Sequence, residues 1–436
     1  MAAARTERTA LVRRGAVPEP AIRDSARSTL ADIRARGAAA VREANDRVGG
    51  GRPDGRLTVE AGELRSARDA LSPPIRRALD QAIANISRFA ETQLPASTRM
   101  QILPGIEIER RWTPLRSVGA YVPGGSAPYP SSLLMTVVPA RVAGVQHVVV
   151  ASPAGRDGGM DPVVLGAAGL LEIDTLLVAG GAQAIGALAF GLRDATPPFR
   201  AVDRIVGPGN AWVTAAKLEV AGFVGIDLPA GPSEGMVLAD DTADPVLVAA
   251  DLVTQAEHGP DSPAILVTTS ETLADAVEGE IAALLPRLER RAILTRALAA
   301  HGRIALAPDL DAAIEFVNAY APEHLSIDVR DPDAAVARIR HAGSIFVGPW
   351  APESAGDYAT GANHVLPTGG LARSSDPLAV EAFGRYTQIQ RVDEQGLASI
   401  RETVGRLATA EGLTAHRNAV EVRFHEPGRT DAGDDR

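Results

Sequence analysis

The sequence predicts an α/β fold in which mostly parallel sheets are organised as two α/β units. Two observations carry that class. From Val118 onward, short β-branched runs alternate with Ala-rich segments of helical spacing, and several runs lie about 25 to 30 residues apart, as strand–helix–strand units require. The runs are also near-continuously apolar, so both faces of their sheets are covered, which favours parallel pairing. Nine such runs are many for one sheet, hence two units.

The elements follow in order. Met1 to Gly15 carries several arginines but no apolar core segment, so it is not a secretory signal. Segments 29–47 and 74–92 have apolar residues at helical spacing, and 49–55 (GGGRPDG) is a loop between them. The strand runs are 147–151, 175–179, 203–206, 225–228, 236–238, 264–268, 303–307, 325–329 and 344–347. The stretch 175–192 (TLLVAGGAQAIGALAFGL) is apolar, but its Gly-Gly pair divides it into a buried strand and a small-residue helix rather than a membrane span. Residues 379–422 read as helical again, and 426–436 as a charged, Gly-rich tail.

Composition narrows the chemistry. With 45% hydrophobic and 22% charged residues, the chain can bury the cores of two to four domains. A formal net charge of -10 and the lack of a basic stripe argue against duplex nucleic acid as a partner. There are no cysteines, which excludes disulfides, thiolate metal sites and a thiol nucleophile. Any metal is therefore left to His, Asp, Glu, Gln or Asn, and eight histidines are available.

Glycine and proline cluster where strands end: YVPGGS (121–126), GGAQ (180–183), GPGN (207–210) and PAGPSE (229–234). One such cluster is an ordinary turn; four favour a ligand crevice at the carboxyl edge of a sheet. None is a GxGxxG or a phosphate-binding loop with its lysine, so spacing alone identifies no dinucleotide site. Gln255 and His258 stand three apart at the end of a helix that breaks at Gly259-Pro260, half of a metal site or equally a polar helix end. Glu323 and His324 are adjacent before a strand, able to move protons, but spacing alone favours a solvated surface pair. Asp357 and His364 lie in a polar stretch that fits a ligand site or a hydrophilic loop. Glu411 and His416, five apart, do not share a face of one regular helix. His147, His301, His341 and His425 read as structural.

Eight ordered blocks carry a resemblance: VGAYVPGGSAPYPSS (118–132), VAGGAQAIGALAFG (178–191), VDRIVGPGNAWVTAAK (202–217), GIDLPAGPSE (225–234), DLVTQAEHGPDS (251–262), YAPEHLSI (320–327), APESAGDYATGANHVLPT (351–368) and EGLTAHRNAV (411–420). Over residues 33–423 the chain resembles the histidinol dehydrogenase family. The resemblance implies two Rossmann-like domains with small helical N- and C-terminal extensions: an extension over 1–20, a discontinuous domain of 21–119 with 235–375, an NAD-contacting domain over 120–234, and a helical extension and tail over 376–436. It implies one Zn2+ per subunit on Gln255, His258, Asp357 and His416. NAD contacts fall on Tyr121, Gln183 and Asn210, and substrate contacts on Ser233, His364 and Glu411. Glu323 and His324 take the place of the acid–base pair, with His324 also touching substrate. The implied reaction is oxidation of L-histidinol to L-histidine through bound L-histidinaldehyde, consuming two NAD, in the last steps of histidine biosynthesis. The implied setting is a cytoplasmic homodimer with no nucleic-acid or membrane partner, in which the C-terminal segment completes the partner's site, so that Glu411 and His416 converge across an interface. The departures, at Gly49–Gly51, Gly235-Met236 and 374–380 (SSDPLAV), touch none of these positions. Two rivals remain: a paralogous zinc- and NAD-dependent dehydrogenase acting on another polar alcohol or diol, and a non-catalytic binding protein with two α/β lobes.

Overall fold

The structure is a computed structural model that describes residues 9, 11, 12, 14, 15, 17–124 and 127–424; the expected tail, His425 and most of the 1–20 extension lie outside the described residues. The chain forms two compact units, Met1–Leu94 with Pro114–Phe383, and Pro95–Thr113 with Gly384–Arg436.

The first unit contains two parallel sheets. In the first, the strand order is Thr58–Val59, Thr175–Val178, His147–Ser152, Ser117–Tyr121, Arg204–Val206, Gly225–Ile226. Every neighbouring pair is parallel except the edge strand Thr58–Val59, which runs antiparallel to Thr175–Val178. From the central Ser117–Tyr121 the chain winds outward to one side and then returns to build the other. The second sheet, ordered Gly302–Leu306, Ala264–Thr268, Gly235–Ala239, His324–Asp328, Ser344–Val347, repeats that winding with all pairs parallel. The expectation of mostly parallel sheets holds, and both sheets lie within the one compact unit. The central strand of the first sheet was not among the expected runs, because its five residues SVGAY include Ser117 and Gly119 and read weakly as a β-branched run.

The N-terminal helices pack on the first sheet. Helix Pro20–Arg36 buries Ala26, Leu30 and Ile33 in the core that contains Ile185, Leu188, Val213 and Val220, on the first sheet. Thr58–Val59 adds a strand to that same sheet. The apolar stripe of the first helix finds its complement on the helices Gly181–Phe190 and Ala211–Val220. The expected single helix over 29–47 is two, broken at Gly37 with φ 58. Asp194 caps the second of them, its carboxylate accepting from Ala38 N at 3.0 and 3.1 Å.

The second unit holds a three-stranded sheet, Gly384–Val392, Ile106–Pro114, Thr98–Leu103, and the helices Glu394–Ala410 and Thr414–Glu421. One expectation fails here: 379–422 is not helical throughout but is interrupted by a nine-residue strand. These strands are rich in charged and exposed residues, so they lack the apolar run that marks a buried strand. Charge pairing holds them instead: Glu109 is bound by Arg99, Arg111 and Arg391 at 3.2, 2.7 and 2.8 Å, and these arginines keep its carboxyl down at about 2. Among the described residues no helix is long and apolar enough to cross a membrane, and 175–192 is the strand Thr175–Val178 followed by the helix Gly181–Phe190.

Candidate active site

The first sheet presents its carboxyl edge. Where the winding reverses, between Ser117–Tyr121 and Arg204–Val206, adjacent loops leave in opposite directions and open a crevice. Tyr121 is buried, and its hydroxyl accepts from Gly181 N at 3.2 Å, tying the Gly-Gly turn to the central strand. Gln183 is buried one turn into the following helix, and its Nε2 donates to Asn45 Oδ1 at 3.3 Å. Asn210 caps helix Ala211–Val220, accepting from Trp212 N and Val213 N at 3.1 and 3.2 Å. All three line a cleft of about 820 Å3 whose other walls include Gly49–Pro53 and Pro153–Gly158.

The Gly207–Asn210 loop is fixed by a pair that sequence reading missed. Lys217, wholly buried in the apolar helix Ala211–Val220, pairs with Asp227 and donates to Gly207 O and Leu228 O at 3.1 and 2.9 Å. Asp227 Oδ2 in turn accepts from Gly207 N at 2.7 Å. Gly207 has φ 113, and a Cβ there would lie 2.2 Å from Tyr121 O, so only glycine fits. The available signal was a lone lysine in a mostly apolar helix (AWVTAAKLEV), a position that demands a buried partner.

A second cleft, of about 500 Å3, shares Tyr121, Gly124, Asn210 and Trp212 with the first and runs on to Ser233, His258, Glu323, His324, Asp357 and His364. Its floor is the amino edge of the second sheet. Gln255 lies in the last turn of helix Pro245–Glu257, and His258 is its C-cap. A Cβ on Gly235 would stand 2.6 Å from Gln255 Oε1, so this glycine admits the amide to the site. His324 opens its strand and is in register with Gly235 and Ser344 on either side.

Glu323 and His324 are 5% and 3% exposed, which excludes the surface-pair reading. Glu323 Oε2 accepts from Ser233 Oγ at 2.8 Å and from Glu234 N at 2.9 Å. His324 Nδ1 lies 3.2 Å from Gln255 Oε1. An amide oxygen only accepts, so Nδ1 carries the hydrogen and Nε2, which has no partner, keeps its lone pair. His364 Nδ1 sits 3.0 Å from Asp357 O and its Nε2 3.3 Å from Ser132 Oγ. Asp357 lies on a short helix, Glu353–Tyr358, where a hydrophilic loop was the alternative.

Burial sets the protonation states. It pushes His258 and His364 down to about 4 and His324 to about 3, so all three imidazoles are neutral at neutral pH. It lifts Asp357 to about 6 and raises Glu323 and Glu353 well above the carboxylate range, with neighbouring carboxylates adding to both glutamates.

Glu353 was not singled out from the sequence, though its i,i+4 spacing to Asp357 places both on one helix face. Ligand atoms of His258, Glu353 and Asp357 lie within 4.8 Å of one another. His258 Nε2 stands 3.6 Å from Glu353 Oε1 and 3.8 Å from Asp357 Oδ2, too far to hydrogen-bond. Donors held tetrahedrally at 2.0–2.1 Å around zinc stand about 3.4 Å apart, so these atoms need close in only slightly to enclose an ion. Glu353 Oε1 is buried without a hydrogen-bond partner, and neutral imidazole with oxygen donors is a donor set that zinc accepts. Gln255 adjoins the group through His324. His416 and Glu411 belong to the second unit and are exposed there; Gly412, φ 73, separates the helix that Glu411 caps from the one carrying His416.

Comparison with known proteins bears on the whole chain. A family profile described as "Histidinol dehydrogenase" matches residues 12–424. A histidinol dehydrogenase of Leifsonia xyli is 46% identical over 425 residues, covering 97% of each chain. One from Methanosarcina barkeri is 46% identical over 401 residues, covering 91% of this chain and 90% of its own. The crystal structure of histidinol dehydrogenase from Elizabethkingia anophelis superposes with a TM-score of 0.89 at 35% identity, covering 96% of both chains. The two like-wound sheets, the paired clefts and these matches over nearly the full length place the chain in the histidinol dehydrogenase family.

Proposed function

We propose that this chain oxidises L-histidinol to L-histidine in two successive two-electron steps, in one site, with one Zn2+ per subunit and two NAD consumed per turnover. The observation that supports this most is the meeting of two clefts at Tyr121 and Asn210: one is large enough for a dinucleotide, and the other is lined by neutral imidazoles and buried carboxylates. Zinc on Gln255, His258, Asp357 and, across a homodimer, His416 would fix the substrate by its amino and imidazole nitrogens, while NAD against Tyr121, Gln183 and Asn210 would accept hydride. Glu353 is a further carboxyl group that would stand within reach of an ion held by His258 and Asp357.

His324 takes the alcohol proton on its bare Nε2 as hydride leaves the carbinol carbon, giving L-histidinaldehyde. With no cysteine in the chain, the aldehyde is hydrated rather than captured as a thiohemiacetal. Glu323 takes a proton from the attacking water as its oxygen bonds to the carbonyl carbon, and protonated His324 returns its proton to the former carbonyl oxygen, giving the gem-diol. A carboxylate held above its ordinary range is a stronger base once ionised, and a nearby cation favours the ionised form. The gem-diol then gives up a second hydride and a proton, leaving the carboxylic acid. Ser233, His364 and Glu411 contact substrate, with Glu411 reaching the site across the homodimer like His416. Both steps take place in a cleft that limits escape of the reactive aldehyde.

The test is NADH formed per L-histidinol consumed, with and without a chelator. Two NADH, lost on chelation and restored by zinc, are expected. One would show release at the aldehyde. None from a metal-loaded, folded protein would favour the paralogue acting on another alcohol.

A further inference from the structure

The segment ahead of helix Pro20–Arg36 reaches the acid–base pair from behind. Glu234 is 3% exposed, and Arg14 grips its carboxylate with two bonds, Nε to Oε2 at 2.9 Å and Nη2 to Oε1 at 2.6 Å. The same guanidinium stacks on Tyr320, 3.3 Å from the ring centroid, and its Nη1 donates to Leu11 O at 2.8 Å. Tyr320 is fully buried, with its hydroxyl 3.4 Å from Glu234 Oε2. An ion pair enclosed in this way is costly to break, because either partner alone is left as a buried charge.

The Glu234 backbone holds the two residues that the proposed reaction uses. Its N–H donates to Glu323 Oε2 at 2.9 Å, and its carbonyl accepts from His324 N at 3.2 Å. Ser233, next in line, donates to the same Glu323 oxygen at 2.8 Å. Arg14 lines neither cleft, yet it fixes the residue whose N–H holds the Glu323 carboxylate directly; the His324 ring is aimed from a separate helix by Gln255 Oε1 and shares only a backbone bond with Glu234.

We propose that Arg14 is a positioning residue for the second oxidation: by pinning the Glu234 carboxylate, it fixes the Ser233–Glu234 corner that aims Glu323. This rests on the reading of Glu323 as the group that activates water. Without the guanidinium, the Glu234 carboxylate must move toward water or take up a proton, and the corner moves with it. The cofactor cleft and the His258–Asp357 side are built from other elements and keep their geometry.

The experiment is single-turnover NADH formation from L-histidinol, resolved into its two phases, with zinc content measured on the same samples. Arg14→Ala is expected to slow the second phase about tenfold or more, since a misplacement near 1 Å can cost up to a hundredfold, while the first phase and the zinc content stay within about twofold. Arg14→Lys recovers part of the loss, and so does adding Glu234→Gln to Arg14→Ala, which removes the orphaned charge. Parental rates in both phases of Arg14→Ala overturn the proposal, as does equal slowing of both. If Arg14→Ala does not fold, Arg14→Lys decides, because it keeps the charge but loses the two-bond grip; a parental second phase there overturns the proposal. Glu323→Gln, run alongside, separates the two readings. Equal slowing of both phases by Glu323→Gln removes the water-activating role and this proposal with it. Selective slowing by Glu323→Gln, with Arg14→Ala unaffected, removes this proposal alone.

Discussion

The two sheets of the first unit share one winding and offer the site opposite edges. The first sheet contributes its carboxyl edge, through Tyr121, the Gly-Gly turn and the Gly207–Asn210 loop. The second contributes its amino edge, through Gly235, His324 and the helix end at Gln255 and His258. The rule that ligands gather beyond strand carboxyl ends finds the first half of the site and would miss the second. The difference is one of task. Loop amides at a carboxyl edge suit a polyanionic cofactor, whereas strand starts and helix ends in a packed edge can hold side chains rigidly and dry, as proton transfer and metal ligation require.

The largest effect that would sharpen this contrast is at the amino edge. His324→Asn should leave a folded, zinc-loaded protein whose turnover falls by a factor of about 10³ to 10⁴, the upper range for a lost general base. Turnover within tenfold of the parent, measured by steady-state NADH formation, would take that role from His324. At the carboxyl edge the expected loss is of stability. Lys217→Met leaves Asp227 buried without its partner and should cost about 3–5 kcal/mol in denaturant unfolding, a cost typical of one partner lost from a buried pair. An unchanged midpoint would show that the pair does not hold the loop.

Glu353→Gln keeps the size but removes the carboxyl that a bound cation would ionise beside His258. Zinc affinity, read by competition with a chromogenic chelator, should weaken by about ten- to a hundredfold. Equal affinity would place Glu353 outside the metal's reach. Gln183→Ala should raise the KM for NAD by up to about tenfold, one hydrogen bond's worth, without moving that for L-histidinol. A change in the L-histidinol value instead would break the division of labour between the clefts.

The smallest effect is one of pH. Asp357, lifted to about 6 by burial, disfavours the metal-free fold as pH rises through that value, and binding zinc requires its proton to leave. His258, pushed down to about 4, acts oppositely: its stabilisation is present above the ordinary histidine value and is lost as pH falls toward 4. The rise in Tm on adding zinc to chelated protein should therefore be larger at pH 7.5 than at pH 5, with affinity falling about tenfold per pH unit below 6. An equal rise at both would contradict the protonated Asp357.

Legibility follows the same division. The carboxyl-edge turns could be read directly, because glycine and proline punctuation is local chemistry. The parallel sheets were legible from apolar runs, but not Ser117–Tyr121, nor the strands Thr98–Leu103, Ile106–Pro114 and Gly384–Val392, whose exposed, charged residues carry little periodic signal. At the amino edge, adjacent Glu323 and His324 looked like a surface pair, since their burial comes from strands distant in sequence. Their suggested roles entered through family resemblance rather than from spacing. Glu353 left only its i,i+4 spacing to Asp357 and Arg14 no local mark at all: one matters through His258, some 95 residues away, and the other through Glu234, 220 residues away.

The most direct measurement is a single turnover of Glu323→Gln with L-histidinol and excess NAD. If the amino edge carries the chemistry as proposed, the first NADH appears at close to the parental rate and the second is strongly delayed. Equal loss of both, in a folded and zinc-loaded protein, would contradict it.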